Sequence, residues 1–136
     1  MIKQTIIILK PRPRGFHLVT KEITSHLPEL PAMGLLHLFV KHTSCGLAIN
    51  ENFDSSVRYD MEDIYNRIVP EHHVAYRHIE EGTDDMPSHA KSVLTGVSLT
   101  IPITNGKLNL GIWQGIYLCE FRDEGGPREI VATLVE

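Results

Sequence analysis

Val97-Ser98-Leu99-Thr100-Ile101-Pro102-Ile103-Thr104-Asn105-Gly106-Lys107-Leu108-Asn109-Leu110 is the stretch on which the fold turns. From Val97 to Ile103 apolar and polar residues alternate, so every second side chain faces the same way. Asn105-Gly106 is the pair that best tolerates the positive φ angles of a two-residue hairpin turn. An antiparallel hairpin is therefore predicted, with Lys107–Leu110 as its return strand. Downstream, Gly111 bends the chain, Ile112 to Phe121 reads as a long strand, 122–127 as a loop and Arg128 to Val135 as the last strand. Upstream, Gln4 to Lys10 is a β-branched strand stopped by Pro11, and Gly15 to Val19 is extended. Thr20 is positioned to cap a short helix ending at Leu27, before Pro28 and Pro31. Gly34 to His42 reads as a central strand, and Gly46 to Asn50 resumes the extended pattern.

The clearest helix runs from Asp54 to Ile68, where Val57, Met61, Ile64 and Ile68 mark one stripe and Asp54 is a natural N-cap. A shorter helix over Met86 to Leu94, capped by Asp84 or Asp85, ends before Gly96. The expected fold is α+β and mainly β: a single domain over 1–136, built as a β-sandwich of mixed or antiparallel strands. It carries one main helix, about 54–68, and one or two short ones.

The 136 residues are enough for one core without disulfides or a structural metal. An apolar share of 42% with 22% charged residues argues against disorder. The net charge of −4 and the scattered basic residues exclude a nucleic-acid stripe. Cys45 and Cys119 form no CxxC, which fits reduced thiols in a cytoplasmic protein. The run Thr5-Ile6-Ile7-Ile8-Leu9 is too short for a signal peptide or a membrane span, so no membrane association is expected.

Chemistry concentrates in His78-Ile79-Glu80-Glu81-Gly82-Thr83-Asp84-Asp85-Met86-Pro87-Ser88-His89. Imidazoles ligate zinc and similar metals, and carboxylates hold magnesium or accept protons. The competing reading is a solvated acidic turn. His42-Thr43-Ser44 breaks two apolar strands with polar atoms, and its hydroxyls could hold a phosphate or make ordinary turn hydrogen bonds. Trp113 and Gln114, between two glycines, offer a flat surface and an amide to a heteroaromatic ligand; a core tryptophan is the alternative. Asp60 lies at the edge of the main helix's apolar stripe, and Glu120 is either an edge charge or an inward acid.

The combination of His42-Thr43-Ser44, Asn50-Glu51-Asn52, Val57 to Asp60, Glu81 to His89, and Leu110-Gly111-Ile112-Trp113-Gln114-Gly115-Ile116 resembles the YjbQ-like family. The resemblance covers nearly the whole chain, with Cys45 standing where alanine is expected. It implies a compact sandwich assembled as a homotrimer, and a weak thiamine-phosphate synthase activity that joins a pyrimidine diphosphate to a thiazole phosphate with loss of pyrophosphate. Its polar positions are His42, Asn50, Glu51, Asp60, His78, Asp84, His89, Trp113, Gln114 and Glu120.

On that basis His42, His78 and His89 are expected to form a site for a divalent metal, zinc or magnesium, with an open fourth position. Asn50, Glu51, Asp60, Asp84 and Gln114 are the expected catalytic group, the carboxylates helping to hold the cation against the leaving pyrophosphate. Thr43, Ser44, Trp113 and Glu120 are expected to bind a phosphorylated small-molecule substrate. The alternatives are a metal- or metabolite-binding homotrimer without turnover, and a metal-dependent hydrolase.

Overall fold

A computed structural model describes residues 1–136. The decisive hairpin is present: β5 (Ser98–Thr104) turns into β6 (Lys107–Leu108), with Asn105 at φ 52° and Gly106 at φ 74°. Both central residues have positive φ, as a type I′ turn requires. The return strand is shorter than predicted, ending at Leu108. Beyond it the Asn109 N–H still donates to the Pro102 carbonyl at 2.8 Å.

The other strands are β1 (Ile2–Leu9), β2 (Gly15–Leu18), β3 (Met33–Val40), β4 (Cys45–Glu51), β7 (Gln114–Glu120) and β8 (Arg128–Val135). They form a five-stranded sheet in the order β1-β8-β3-β5-β6 and a three-stranded sheet in the order β2-β7-β4. Every pairing is antiparallel. The expected mainly-β sandwich is therefore the fold, in its antiparallel form.

Strand alternation places the core. In the large sheet Ile7, Leu9, Leu36, Leu38, Val40, Ile101, Ile103, Ile130, Ala132 and Leu134 point inward and are buried. Leu47, Ile116 and Leu118 of the small sheet meet them, joined by Val19 and Ile23. At about 25 cal/mol per Å² of apolar surface, this burial is the main stabilising term. The small sheet is covered on its other face too, where Phe16, Tyr117, Cys119 and Phe121 pack against Met61 and Tyr65. That double cover explains why Gly115 to Glu120 is buried without alternation.

Gly34 shows how tightly β3 fits its neighbour, since a β-carbon there would collide with the backbone carbonyl of Val135. Gly34→Ala is expected to cost about 1–3 kcal/mol, the usual range for overpacking, as a lower urea midpoint with unchanged slope. A midpoint equal to wild type would show that the strands separate freely at this point.

Helix α1 (Thr20–Thr24) is shorter than predicted, and Thr20 is not its cap. The Thr20 hydroxyl instead accepts the Ile116 N–H at 2.9 Å, fastening the segment to β7. Helix α2 (Ser55–Ile68) has Asp54 as N-cap, accepting the Ser56 N–H, as the sequence indicates. Its buried face is rotated from the predicted stripe: Ile64 is 38% and Ile68 63% exposed. Aromatic packing sets the rotation, because Tyr65 stacks on Phe121 with centroids 5.6 Å apart and meets the Phe16 ring edge-on at 5.1 Å.

Helix α3 (Asp85–Thr95) follows Asp84 and ends at Gly96, whose φ of 96° suits a residue without a β-carbon. It lies against β4, where Ser92 Oγ donates to the Cys45 carbonyl at 2.7 Å. Lys91 of α3 is buried, donating to Asn66 Oδ1 at 2.7 Å beside the Phe121 ring. Burial first, and Arg14 next, pull its ammonium below the usual lysine range. No helix is long and apolar enough to cross a membrane.

Candidate metal centre

The segment from His78 to His89 folds back on itself because α3 begins at Asp85. One helical turn separates Asp85 from His89, so both side chains leave the same face. His78, in the preceding loop, reaches the same point. His78 Nε2 lies 2.6 Å and His89 Nε2 3.0 Å from Asp85 Oδ2. Ligand atoms of these three residues all lie within 4.8 Å of one another. The contacts are N–H···O hydrogen bonds, and a cation taking their place displaces the protons that make them.

The surroundings orient both His89 and Asp85. His89 Nδ1 donates to the Thr43 carbonyl at 2.8 Å, which directs Nε2 toward Asp85. Asp85 Oδ1 pairs with Arg122 at 2.7 Å, leaving Oδ2 for the imidazoles. Burial raises the Asp85 pKa, but His78, His89 and Arg122 outweigh it and hold the carboxyl below the usual range. Two imidazoles and one carboxylate with room for further ligands are a donor set for zinc, iron(II) or manganese, whereas magnesium prefers oxygen. Beside His78 opens a cleft of about 320 Å³, lined by Glu71, Tyr76, Thr83 and Met86 among others.

The expected histidine trio needs correction, because Asp85 and not His42 completes the group. His42 Nε2 accepts the Glu129 backbone N–H at 2.8 Å, and ligation through that nitrogen would break the bond. Asp84 is no free cation ligand either: it accepts the Asp123 N–H at 2.9 Å and faces Arg122 Nε at 3.3 Å. Burial raises its pKa, and these two contacts more than reverse the effect.

Glu51 closes the start of α2, its carboxylate accepting the Phe53 and Asp54 N–H groups at 2.9 Å each. Asn50 Oδ1 accepts the Glu51 N–H at 2.7 Å, and Asp60 lies on the exposed side of α2. Gln114 Oε1 accepts the Gly111 N–H at 2.7 Å. Trp113, neither core nor cleft, is 58% exposed with its ring 5.8 Å from that of Phe53. Asn50, Glu51, Trp113 and Gln114 gather at the Glu51 end of β4, whereas Thr43 and Ser44 flank its Cys45 end. Seven residues at about 3.3 Å each put roughly 20 Å between the ends. A single chain does not bring the two groups together.

Glu120, expected to touch substrate, is corrected as well. It is 0% exposed and points inward from β7 to Arg128 of β8, bonding Arg128 Nε at 2.8 Å. Arg128 also donates to the Ser44 carbonyl at 3.2 Å, so Ser44 serves this buried knot rather than an open site. Thr43 remains exposed beside His89. Both cysteines are buried free thiols, and burial pushes Cys45 up to about 12, away from the thiolate form.

Sequence reading missed Asp85 as the third member of the group, Arg122 as its partner and Arg128 as the mate of Glu120. The four-residue spacing of Asp85 and His89 on a predicted helix was the available signal. Nothing local in the sequence marks the two arginines.

Fold and centre together define a small antiparallel sandwich protein with a histidine–carboxylate group at one end of its three-stranded sheet. Residues 4–136 match the family model described as UPF0047 protein YjbQ-like. The chain is 55% identical over 133 residues to the UPF0047 protein YjbQ of Salmonella typhimurium, covering 96% of each. It is 39% identical over 111 residues to the UPF0047 protein YugU of Bacillus subtilis, covering 81% of this chain and 80% of that one. Among solved structures, a conserved hypothetical protein from Thermus thermophilus superposes with a TM-score of 0.82 at 35% identity, covering 93% of this chain and 97% of that one. A YbjQ-like protein of unknown function from Sulfolobus solfataricus gives 0.84 over 100% and 99% of the chains, and at 18% identity speaks for the fold alone. The chain belongs to the YjbQ/UPF0047 family.

Proposed function

We propose that this chain is a divalent-metal-dependent enzyme acting on a phosphorylated small molecule, with thiamine-phosphate formation as the reaction to which its family resemblance points. The observation that carries the reading is the convergence of His78, Asp85 and His89 beside an open cleft. A cation held there would neutralise the charge that builds on a departing pyrophosphate. Asp85 and the two imidazoles supply its protein ligands, and Arg122 and the Thr43 carbonyl keep Asp85 and His89 in position. The donor set also favours a second reading, hydrolysis of a phosphate ester by water polarised at the same ion.

The purified chain, supplied with a pyrimidine diphosphate, a thiazole phosphate and zinc or manganese, is expected to form thiamine phosphate. Chelation and the His89→Ala substitution should each abolish that product. Product formation indifferent to both would detach the activity from this centre, and release of phosphate from simple esters would favour the hydrolase.

A homotrimer belongs to the same proposal. The outer face of the large sheet carries the rows Ile2, Val135, Leu35 and Pro102, then Gln4, Thr133, His37 and Thr100, then Ile6, Val131, Phe39 and Ser98. Ile2, Ile6, Ile8, Leu35 and Phe39 on that face are exposed, an apolar patch suited to a second copy of the chain. Light scattering on the eluting protein reads the assembly directly, and a monomeric mass would remove this part of the proposal.

A further inference from the structure

His42 stands outside the histidine–carboxylate group but beside it. An imidazole nitrogen that accepts a hydrogen bond carries no proton, so the bond from the Glu129 N–H to Nε2 puts the proton of the neutral ring on Nδ1. Burial first, and Arg128 next, favour that neutral ring. The ring lines a second cleft, of about 630 Å³, together with Thr43, His89, Ser92, Val93 and Val97. Glu129 is not part of that lining and no carboxylate faces the cleft. Ser92 Oγ is already bonded to the Cys45 carbonyl. Among the lining residues the His42 Nδ1–H and the Thr43 hydroxyl are the two side-chain donors left without a partner, and His89 joins this cleft to the histidine–carboxylate group.

We infer that this cleft is a ligand subsite in which His42 Nδ1–H and the Thr43 hydroxyl donate to a phosphoryl oxygen of a molecule held on the ion at His78, Asp85 and His89. The inference rests on the metal reading given above and adds to it a binding role for His42 separate from ligation. A ring locked in one tautomer by backbone presents its donor without reorganising, which suits recognition of an oxygen acceptor.

Two near-isosteric substitutions separate this role from the alternatives. Asparagine places its amide N–H near Nδ1 and keeps the cleft donor, while glutamine reaches the Nε2 position and keeps the acceptor for Glu129. Zinc affinity is measured first by calorimetry, and then the affinity of the zinc-loaded protein for inorganic phosphate. H42Q is expected to weaken phosphate binding about tenfold or more, the worth of a hydrogen bond to a charged group, with zinc affinity unchanged. H42N should stay within about threefold of wild type in both. Thr43→Val, at an exposed position that does not endanger folding, should weaken phosphate several-fold and leave zinc unchanged.

Nitrogen-15 spectra of the wild type should show His42 as the Nδ1–H tautomer, and an Nε2–H tautomer overturns the inference. Phosphate affinity lost in H42N but kept in H42Q would make His42 a backbone anchor only. Zinc affinity lost in both would make it a ligand. Phosphate affinity unaltered in H42Q and in Thr43→Val would leave the cleft without this role. A wild-type chain that takes up no zinc would sink the metal reading itself, and the subsite with it.

Discussion

Asp85→Asn is expected to lower zinc affinity by about a hundredfold or more. Loss of an outer partner of a metal ligand typically costs 10–100-fold, and here a ligand itself is weakened, since an amide binds zinc far less well than a carboxylate. Asp85 is the member on which the group depends, because its Oδ2 receives both imidazoles while Oδ1 is fixed by Arg122. His78→Ala and His89→Ala should each produce a loss of similar size. Combined with Asp85→Asn, neither should add its full effect, as expected for residues acting as a unit.

Folding provides an independent readout. An ion bound at a hundred times its dissociation constant stabilises the native state by about 2.7 kcal/mol, so zinc should raise the unfolding temperature of wild type and not of Asp85→Asn. Variants that bind zinc as tightly as wild type would show that the three side chains are only a hydrogen-bonded turn.

The second large effect is expected at Glu120→Ala, a loss of about 3–5 kcal/mol in unfolding free energy. Glu120 and Arg128 face one another from opposite sheets at one end of the sandwich, at 0% and 3% exposure. Removing the carboxylate leaves a buried guanidinium whose remaining partner is the Ser44 carbonyl. Gly125 approaches so closely that a β-carbon there would lie 2.5 Å from an Arg128 nitrogen and 2.6 Å from a Glu120 oxygen, so its bare backbone closes one side of the pair. Arg128→Ala should cost a similar amount, while the double replacement by apolar residues of similar volume should recover much of the loss. Denaturant unfolding of the three variants measures this, and a Glu120→Ala chain as stable as wild type would mean that water reaches Arg128.

These two sites also show which parts of the molecule the sequence made legible. Asn105-Gly106 and the alternation before it disclosed a hairpin that is present, because turn chemistry and strand period are local properties. Asp54 disclosed the start of α2 for the same reason. His78 and His89 were recognisable by residue type alone as members of the group that the fold brings together at Asp85. Asp85 was legible only as the start of a helix, and its second role depends on where the loop carrying His78 returns. Glu120 could not be read, since β7 is covered on both faces and its apolar run gives no parity to say which way an acid points. His42 looked like a ligand until the strand carrying Glu129 was seen beside it, a neighbour 87 positions away. The stripe on α2 was misplaced because Tyr65, a half-polar residue by composition, is the one that the Phe16 and Phe121 rings receive.

The outer layer under α2 differs in kind from the core between the sheets. Phe16, Tyr117, Cys119 and Phe121 form a patch closed from outside by a helix with no fully buried residue of its own. Such a helix can lift without parting the sandwich, a sub-global opening that lies below the free energy of complete unfolding. Lifting it would bring water to the amine of Lys91, restoring that group's ordinary basicity. Lys91, tied to Asn66 of that helix, thus sits under a cover that a local fluctuation removes, out of reach of an acylating reagent while the helix is seated and open to one once it lifts.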